Sequence, residues 1–222
     1  MTEVVAINGS PSMERGNTAI LLNAFLNGVK QAGGSVKLYY AKQLNVMPCT
    51  GELQCWNKTS GQCYIQDDMQ MLYPKMRDAD VLTLATPVYI PFPGEMQNVV
   101  NRLVPLMNPA LEIRDGRTRA RVRHDVKLSK IVLVATSEWW EKDNLGTVLR
   151  IVEELAKDMS IEFAGALLRP HSSQLRNKEK AEIVLEAAMQ AGLQLVRDGH
   201  IAKETLDIIS RPLISLEQYM GK

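Results

Sequence analysis

Val4-Val5-Ala6-Ile7-Asn8-Gly9-Ser10-Pro11-Ser12-Met13-Glu14-Arg15-Gly16-Asn17-Thr18 is the stretch from which the fold is read. Its apolar, partly β-branched opening has the pattern of a buried strand. A loop of small and polar residues follows, and then an amphipathic helix with Leu21, Ala24, Phe25, Gly28 and Val29 on one face. A strand that turns into a helix this way leaves backbone N–H groups unpaired at the positive end of the helix dipole, where an anion is stabilised. Ser10, Ser12, Asn17 and Thr18 would add side-chain donors around the same point. The loop lacks the G-x-G-x-x-G of a dinucleotide site and the lysine of a triphosphate loop. Gly9 and Gly16 stand seven positions apart, and Asn17-Thr18 follows Gly16. Neutral donors around a single anion suit a phosphomonoester; an ordinary capped βα loop is the alternative.

Outward from this stretch, apolar runs at 35–40, 80–86, 130–136 and 161–167 read as further strands. Helical periodicity fills the intervals, most clearly over 144–159 and 177–196, with a shorter helix at 202–210 before Pro212. Alternating strands and helices imply an α/β protein with a doubly wound parallel sheet, whose ligands sit beyond the carboxyl ends of the strands. Two more loops at that edge carry the marks of ligand contact. Thr86-Pro87-Val88-Tyr89-Ile90-Pro91-Phe92-Pro93-Gly94 is stiffened by three prolines, so its main-chain N–H groups can be held at fixed positions along a flat ring. Ala135-Thr136-Ser137-Glu138-Trp139-Trp140 and Asn144 follow the fourth strand, and one of the paired tryptophans could wall a pocket while the other plugs the core.

Asn8-Gly9-Ser10-Pro11 through Gly16-Asn17-Thr18, Thr86-Pro87-Val88-Tyr89, and the small-residue turn followed by aromatics and Asp143-Asn144 together resemble the flavodoxin-like NAD(P)H-dependent FMN reductases. The iron–sulfur flavoproteins are close relatives within that group. The resemblance implies a five-stranded parallel sheet in the order 2-1-3-4-5 and bound FMN. The implied FMN contacts are Ser10, Ser12, Gly16, Asn17 and Thr18 at the phosphate, and Pro87, Val88, Tyr89, Ile90, Thr136, Ser137, Glu138, Trp139 and Asn144 around the ring. Glu138 stands where a glycine is expected. The function implied is an oxidoreductase that takes hydride from NAD(P)H and reduces a quinone, a flavin or another small acceptor, with no residue required as acid or base. Its rivals are an FMN electron-transfer protein of the iron–sulfur flavoprotein type and a phosphate-binding module without redox work.

Iron–sulfur flavoproteins also resemble the segment Cys49-Thr50-Gly51-Glu52-Leu53-Gln54-Cys55 with Cys63, but with four cysteines; here Glu52 occupies the second place. A cubane cluster takes four thiolates, and a carboxylate is a hard donor that suits iron poorly. A cluster at Cys49, Cys55 and Cys63 is therefore disfavoured, the spacing is unusual for zinc, and free thiols are the preferred reading. Asp67-Asp68 is expected to cap the helix that follows.

The 222 residues carry a formal net charge of +1, so no global field draws the chain to nucleic acid or membrane. No apolar run approaches the ~20 residues that cross a bilayer. The Met1-Thr2-Glu3 start has no leader pattern, and an odd count of three cysteines fits a reducing compartment, so a cytoplasmic protein is expected. Arg114, Arg117, Arg119, Arg121, Arg123, His124, Lys127 and Lys130 crowd one segment. They could grip a nicotinamide 2′-phosphate, meet acids of a neighbouring subunit, or edge a solvated hairpin. Residues 1–200 form the expected FMN-binding domain, and 201–222 an apolar extension that docks on the same or a neighbouring subunit. A homodimer or homotetramer follows from the resemblance.

Overall fold

The computed structural model of the protein describes residues 1–89 and 91–221. The first strand, β1 (Glu3–Asn8), alternates its side chains between two cores. Val4 and Ala6 face one helical layer, and Val5 and Ile7 face the other. Beside it lie β2 (Ser35–Tyr40) on one side and β3 (Val81–Pro87) on the other. A hairpin, β4 (Met107–Arg114) with β5 (Arg117–Val122), is inserted before β6 (Lys130–Thr136) and β7 (Glu162–Arg169). The parallel sheet runs β2-β1-β3-β6-β7. This is the expected 2-1-3-4-5 order, with β6 and β7 as its fourth and fifth strands.

The helices are α1 (Asn17–Gln31), α2 (Gln54–Asn57), α3 (Met69–Asp78), α4 (Gly94–Asn101), α5 (Gly146–Met159), α6 (Lys178–Arg197), α7 (Lys203–Ser210) and α8 (Leu216–Tyr219). α1, α6 and α7 cover one face of the sheet, and α3, α4, α5 and the hairpin cover the other. No helix among the described residues is long and apolar enough to cross a membrane. α4 stops at Asn101, four residues before Pro105, which has no N–H to donate to the Asn101 carbonyl and whose ring would clash with it in a continued helix. The side chain of Arg102, just beyond, is buried against Asp67 with Nη1···Oδ2 at 2.7 Å and Nη2···Oδ1 at 3.1 Å. Asp67 also accepts from the N–H groups of Met47 and Met69. Burial opposes ionisation of Asp67, but these hydrogen bonds outweigh it and hold the carboxyl below its usual range. Asp67 thus caps α3 through Met69 and mainly anchors Arg102, whereas the Asp68 side chain receives the N–H of Asn45.

The arginine-rich segment forms the hairpin, which turns through Asp115-Gly116, both at positive φ. Its charges are met within the chain. Arg119 is buried and bonds Asp158 and Glu154 of α5, Arg117 also reaches Glu154, and Arg114 and Arg121 pair with Glu112. The segment after α6 contacts its own chain. Arg169 Nη1 donates to the carbonyls of Ile209 and Arg211, Ser210 to that of Leu168, and the Tyr219 hydroxyl to that of Glu138.

α1 and α6 cross where Gly28 meets Met189 and Gly192 meets Phe25. A Cβ on Gly28 would stand 1.8 Å from the Met189 carbonyl oxygen, and one on Gly192 2.1 Å from that of Phe25. Gly28→Ala and Gly192→Ala are each expected to lower the unfolding free energy by about 1–3 kcal/mol in urea titrations. Gly146→Ala, where a Cβ meets nothing within 4 Å, serves as the control and should leave stability within ~1 kcal/mol of the parent.

Candidate functional site

The expected ligand loops meet. A cleft of about 280 Å³ at the carboxyl edge of the sheet is lined by Ser10, Ser12, Gly16, Asn17 and Thr18 from the loop after β1. Pro87, Val88 and Tyr89 come from the end of β3 and the loop after it, and Thr136, Ser137 and Glu138 from the end of β6 and the loop after it. The loops are fastened by bonds that carry the ladder past the strand ends: Gly9 N–H to Ala85 O, Val88 N–H to Thr136 O and Ser137 N–H to Arg169 O. Ile90, expected over a ring face, lies outside the described residues.

The first loop is a preformed turn. Ser10 N–H binds Asn8 Oδ1 at 2.9 Å, Ser12 N–H reaches Ser10 Oγ at 3.3 Å, and Met13 N–H closes on Ser10 O. Gly16 then starts α1, leaving the first N–H groups of the helix without intrahelical acceptors. A Cβ on Gly16 would stand 2.6 Å from Ser10 Oγ, so any side chain there must displace the hydroxyl that Ser12 N–H binds. The Asn17 Oδ1 and Asn8 Nδ2 atoms are buried with no partner among the described residues. The free N–H groups and hydroxyls of the turn are the donors that suit a phosphomonoester; Asn17 Oδ1 is an acceptor and adds nothing to that set. Thr18 Oγ1 and Thr136 Oγ1, 2.7 Å apart and buried, join this cradle to the third loop.

Two expected contacts lie elsewhere. Trp139 is 64 % exposed and outside the cleft wall, and Asn144 bonds back to Glu141. The loop turns away after Glu138 because Trp140 is drawn under it, stacked on His171 with ring centroids 4.8 Å apart. Two cleft residues lie outside the three expected loops, Ser172 and Arg176, both from the segment after β7. Ser172 Oγ receives Asn17 Nδ2 and donates to Glu138 Oε2, and the Ser173 N–H donates to the same carboxylate oxygen. Two serines following a strand at the ligand edge were the available signal.

The cysteine segment gathers separately. Cys49, Glu52, Cys55 and Cys63 line a cavity of about 10 Å³ whose wall includes Arg102. Burial pushes the Cys55 thiol up, and Cys63, Glu52 and Cys49 add to the shift, so it stays protonated at neutral pH. Glu52 receives the Thr50 hydroxyl. Among the described residues, no group of three or more His, Cys, Asp and Glu side chains is arranged to hold a metal ion.

Residues 2–123 match the family of NADPH-dependent FMN reductases. An iron–sulfur flavoprotein of Methanocaldococcus jannaschii is 36 % identical over 87 residues, 39 % of this chain and 44 % of that protein. One of Archaeoglobus fulgidus is 31 % identical over 121 residues, 54 % of this chain and 55 % of that protein. The chain thus spans about half the length of these relatives. In structure it resembles the NAD(P)H:quinone oxidoreductase of Methanothermobacter marburgensis (TM-score 0.58, 17 % identity, 87 % of this chain and 96 % of that one). It also resembles an FMN-dependent NADH-azoreductase of Bacillus anthracis in complex with FMN (TM-score 0.62, 12 % identity, 89 % and 100 %). At these identities the likeness is one of fold.

Beside the cleft, the His171 side chain is wholly buried and neither ring nitrogen has a hydrogen-bond partner among the described residues. Burial, then the Arg169 cation, push its pKa down to about 4; the Trp140 backbone and the Glu138 carboxylate pull the other way. The folded-state value lies below the model-peptide 6.5, so the unfolded chain binds the extra proton first. This contribution to stability is complete above pH 6.5 and is lost as pH falls towards about 4. Urea midpoints measured from pH 7 to pH 5 should fall by the equivalent of about 1 kcal/mol per pH unit. His171→Phe, which keeps the stack, should show a flatter dependence over that interval.

Proposed function

Because the chain belongs to the NADPH-dependent FMN reductase family, we propose that it binds FMN in the cleft and acts as an NAD(P)H-dependent reductase of a quinone, a flavin or another small acceptor. One observation carries this reading: three separate loops converge on one cleft whose phosphate end is a glycine-gated turn. Bound FMN would supply the redox chemistry, accepting hydride from the reduced nicotinamide and passing electrons on. The chain's part is to bind and orient. The turn from Ser10 to Thr18 would hold the phosphate through backbone N–H groups and hydroxyls. Pro87, Val88 and Ser137 would set main-chain groups along the ring edge, and Tyr89, 57 % exposed, would border the open side where donor and acceptor enter. The oxidised protein purified with excess FMN should show flavin absorbance after gel filtration and should oxidise NADPH or NADH with a quinone present. Gly16→Val, with unchanged circular dichroism, should bind no FMN, and wild-type protein that retains no flavin would overturn the reading.

The curated relatives are iron–sulfur flavoproteins, which makes an internal cluster the second reading. The residues present do not fit it. Three thiols and a carboxylate surround the cavity, and a four-iron cluster takes four thiolates. Glu52→Cys supplies the missing sulfur. After anaerobic reconstitution the variant is expected to take up about four irons per chain, and the wild type far less. A wild-type protein carrying about four irons and matching sulfide would reverse the assignment.

A further inference from the structure

Among the residues lining the cleft, Arg176 is the single cation and Glu138 the single carboxylate. Arg176 enters from the segment after β7. Its Nη2 donates to the carbonyl oxygen of Arg15 at 2.7 Å, which places the guanidinium beside the residue that precedes Gly16. Arginines remote from the cleft are largely committed to the chain's own acids: Arg102 to Asp67, Arg119 to Glu154 and Asp158, Arg114 and Arg121 to Glu112. Arg176 has no ion-pair partner among the described residues. A guanidinium carries five donors in a fixed fork, and the bond to Arg15 uses one of them. Glu138, by contrast, is held by Ser172 and the Ser173 N–H and is linked through Ser172 to Asn17. It sets a negative charge two hydrogen bonds from the cradle, opposing any phosphate dianion there.

We propose that Arg176 is the residue that selects the phosphorylated flavin, pairing with the 5′-phosphate of FMN across the mouth of the cradle and offsetting the repulsion from Glu138. This rests on the FMN reading above and adds a charge-specific element to a turn that otherwise offers neutral donors. The neutral turn alone would hold the phosphate by position, whereas the guanidinium makes affinity depend on the phosphate's charge and on ionic strength.

The test is titration of the apoprotein with FMN and with riboflavin, followed by quenching of flavin fluorescence, at low and at high sodium chloride. The wild type should prefer FMN, and the preference should shrink as salt rises. Arg176→Gln should weaken FMN binding about tenfold while leaving riboflavin binding unchanged, as expected for loss of a charge-assisted contact. Arg176→Lys should recover part of the loss. If the wild type binds neither flavin, the FMN reading fails. If it binds FMN and Arg176→Gln keeps the full preference over riboflavin, that reading stands and the role given to Arg176 falls. Wild-type preference that is indifferent to salt overturns the role as well, and needs no variant to fold.

Discussion

A buried hydrogen bond between Thr18 Oγ1 and Thr136 Oγ1, spanning 118 positions of sequence, holds the turn after β1 against the end of β6. Both hydroxyls are out of water, so each needs the other. The bond works because the sheet is parallel. Strands that run the same way end on the same side, and their exits converge on one edge. The ladder bonds from Gly9, Val88 and Ser137 extend each strand by one more rung before its loop departs. The cleft is what remains between loops that the sheet has already fixed.

This explains which parts of the site could be read along the chain. The turn at Ser10–Thr18 was legible because close backbone packing dictates its composition, with small residues and a glycine where a Cβ would strike Ser10 Oγ. The alternation of strands and helices was legible because the apolar runs are short and separated by helical periodicity, whereas their order came from the family resemblance. A hairpin was among the readings of the arginine-rich segment, but its partners were not foreseen, since alternating arginines describe a strand face without saying what meets it, and Glu154 and Asp158 lie on α5. Trp139 and Trp140 were indistinguishable as neighbours. Only the position of His171, beyond the next helix and strand, decides which ring turns inward. Arg176 was invisible for a similar reason, because nothing local distinguishes it from any other exposed arginine.

Charge is placed in this molecule according to how much water each site retains. Where arginine is buried deeply, a carboxylate is supplied, as for Arg102 and Arg119. Arg169 is the exception. It is wholly buried, and its hydrogen bonds run to the carbonyls of Ile209 and Arg211. Burial pushes its pKa down to about 10, which leaves it charged at neutral pH. Those carbonyls lie at the carboxyl end of α7, where the helix dipole leaves partial negative charge. Helix α7 and the residue after it therefore do for Arg169 part of what an acid does for the others.

The same contact ties the last stretch of the chain to the cleft. Arg169 offers its own carbonyl to the N–H of Ser137, a cleft residue, while its guanidinium grips the end of α7. Further along, Tyr219 packs against the Trp140–His171 stack and donates to the carbonyl of Glu138. The backbone from Ser137 to Trp140 is thereby held from below by β7 and from the side by the terminal arm. With Glu138 and Trp139 exposed, the loop has little packing of its own, so its position is imposed by its neighbours. The arm, the buried arginine and the stacked histidine together impose it.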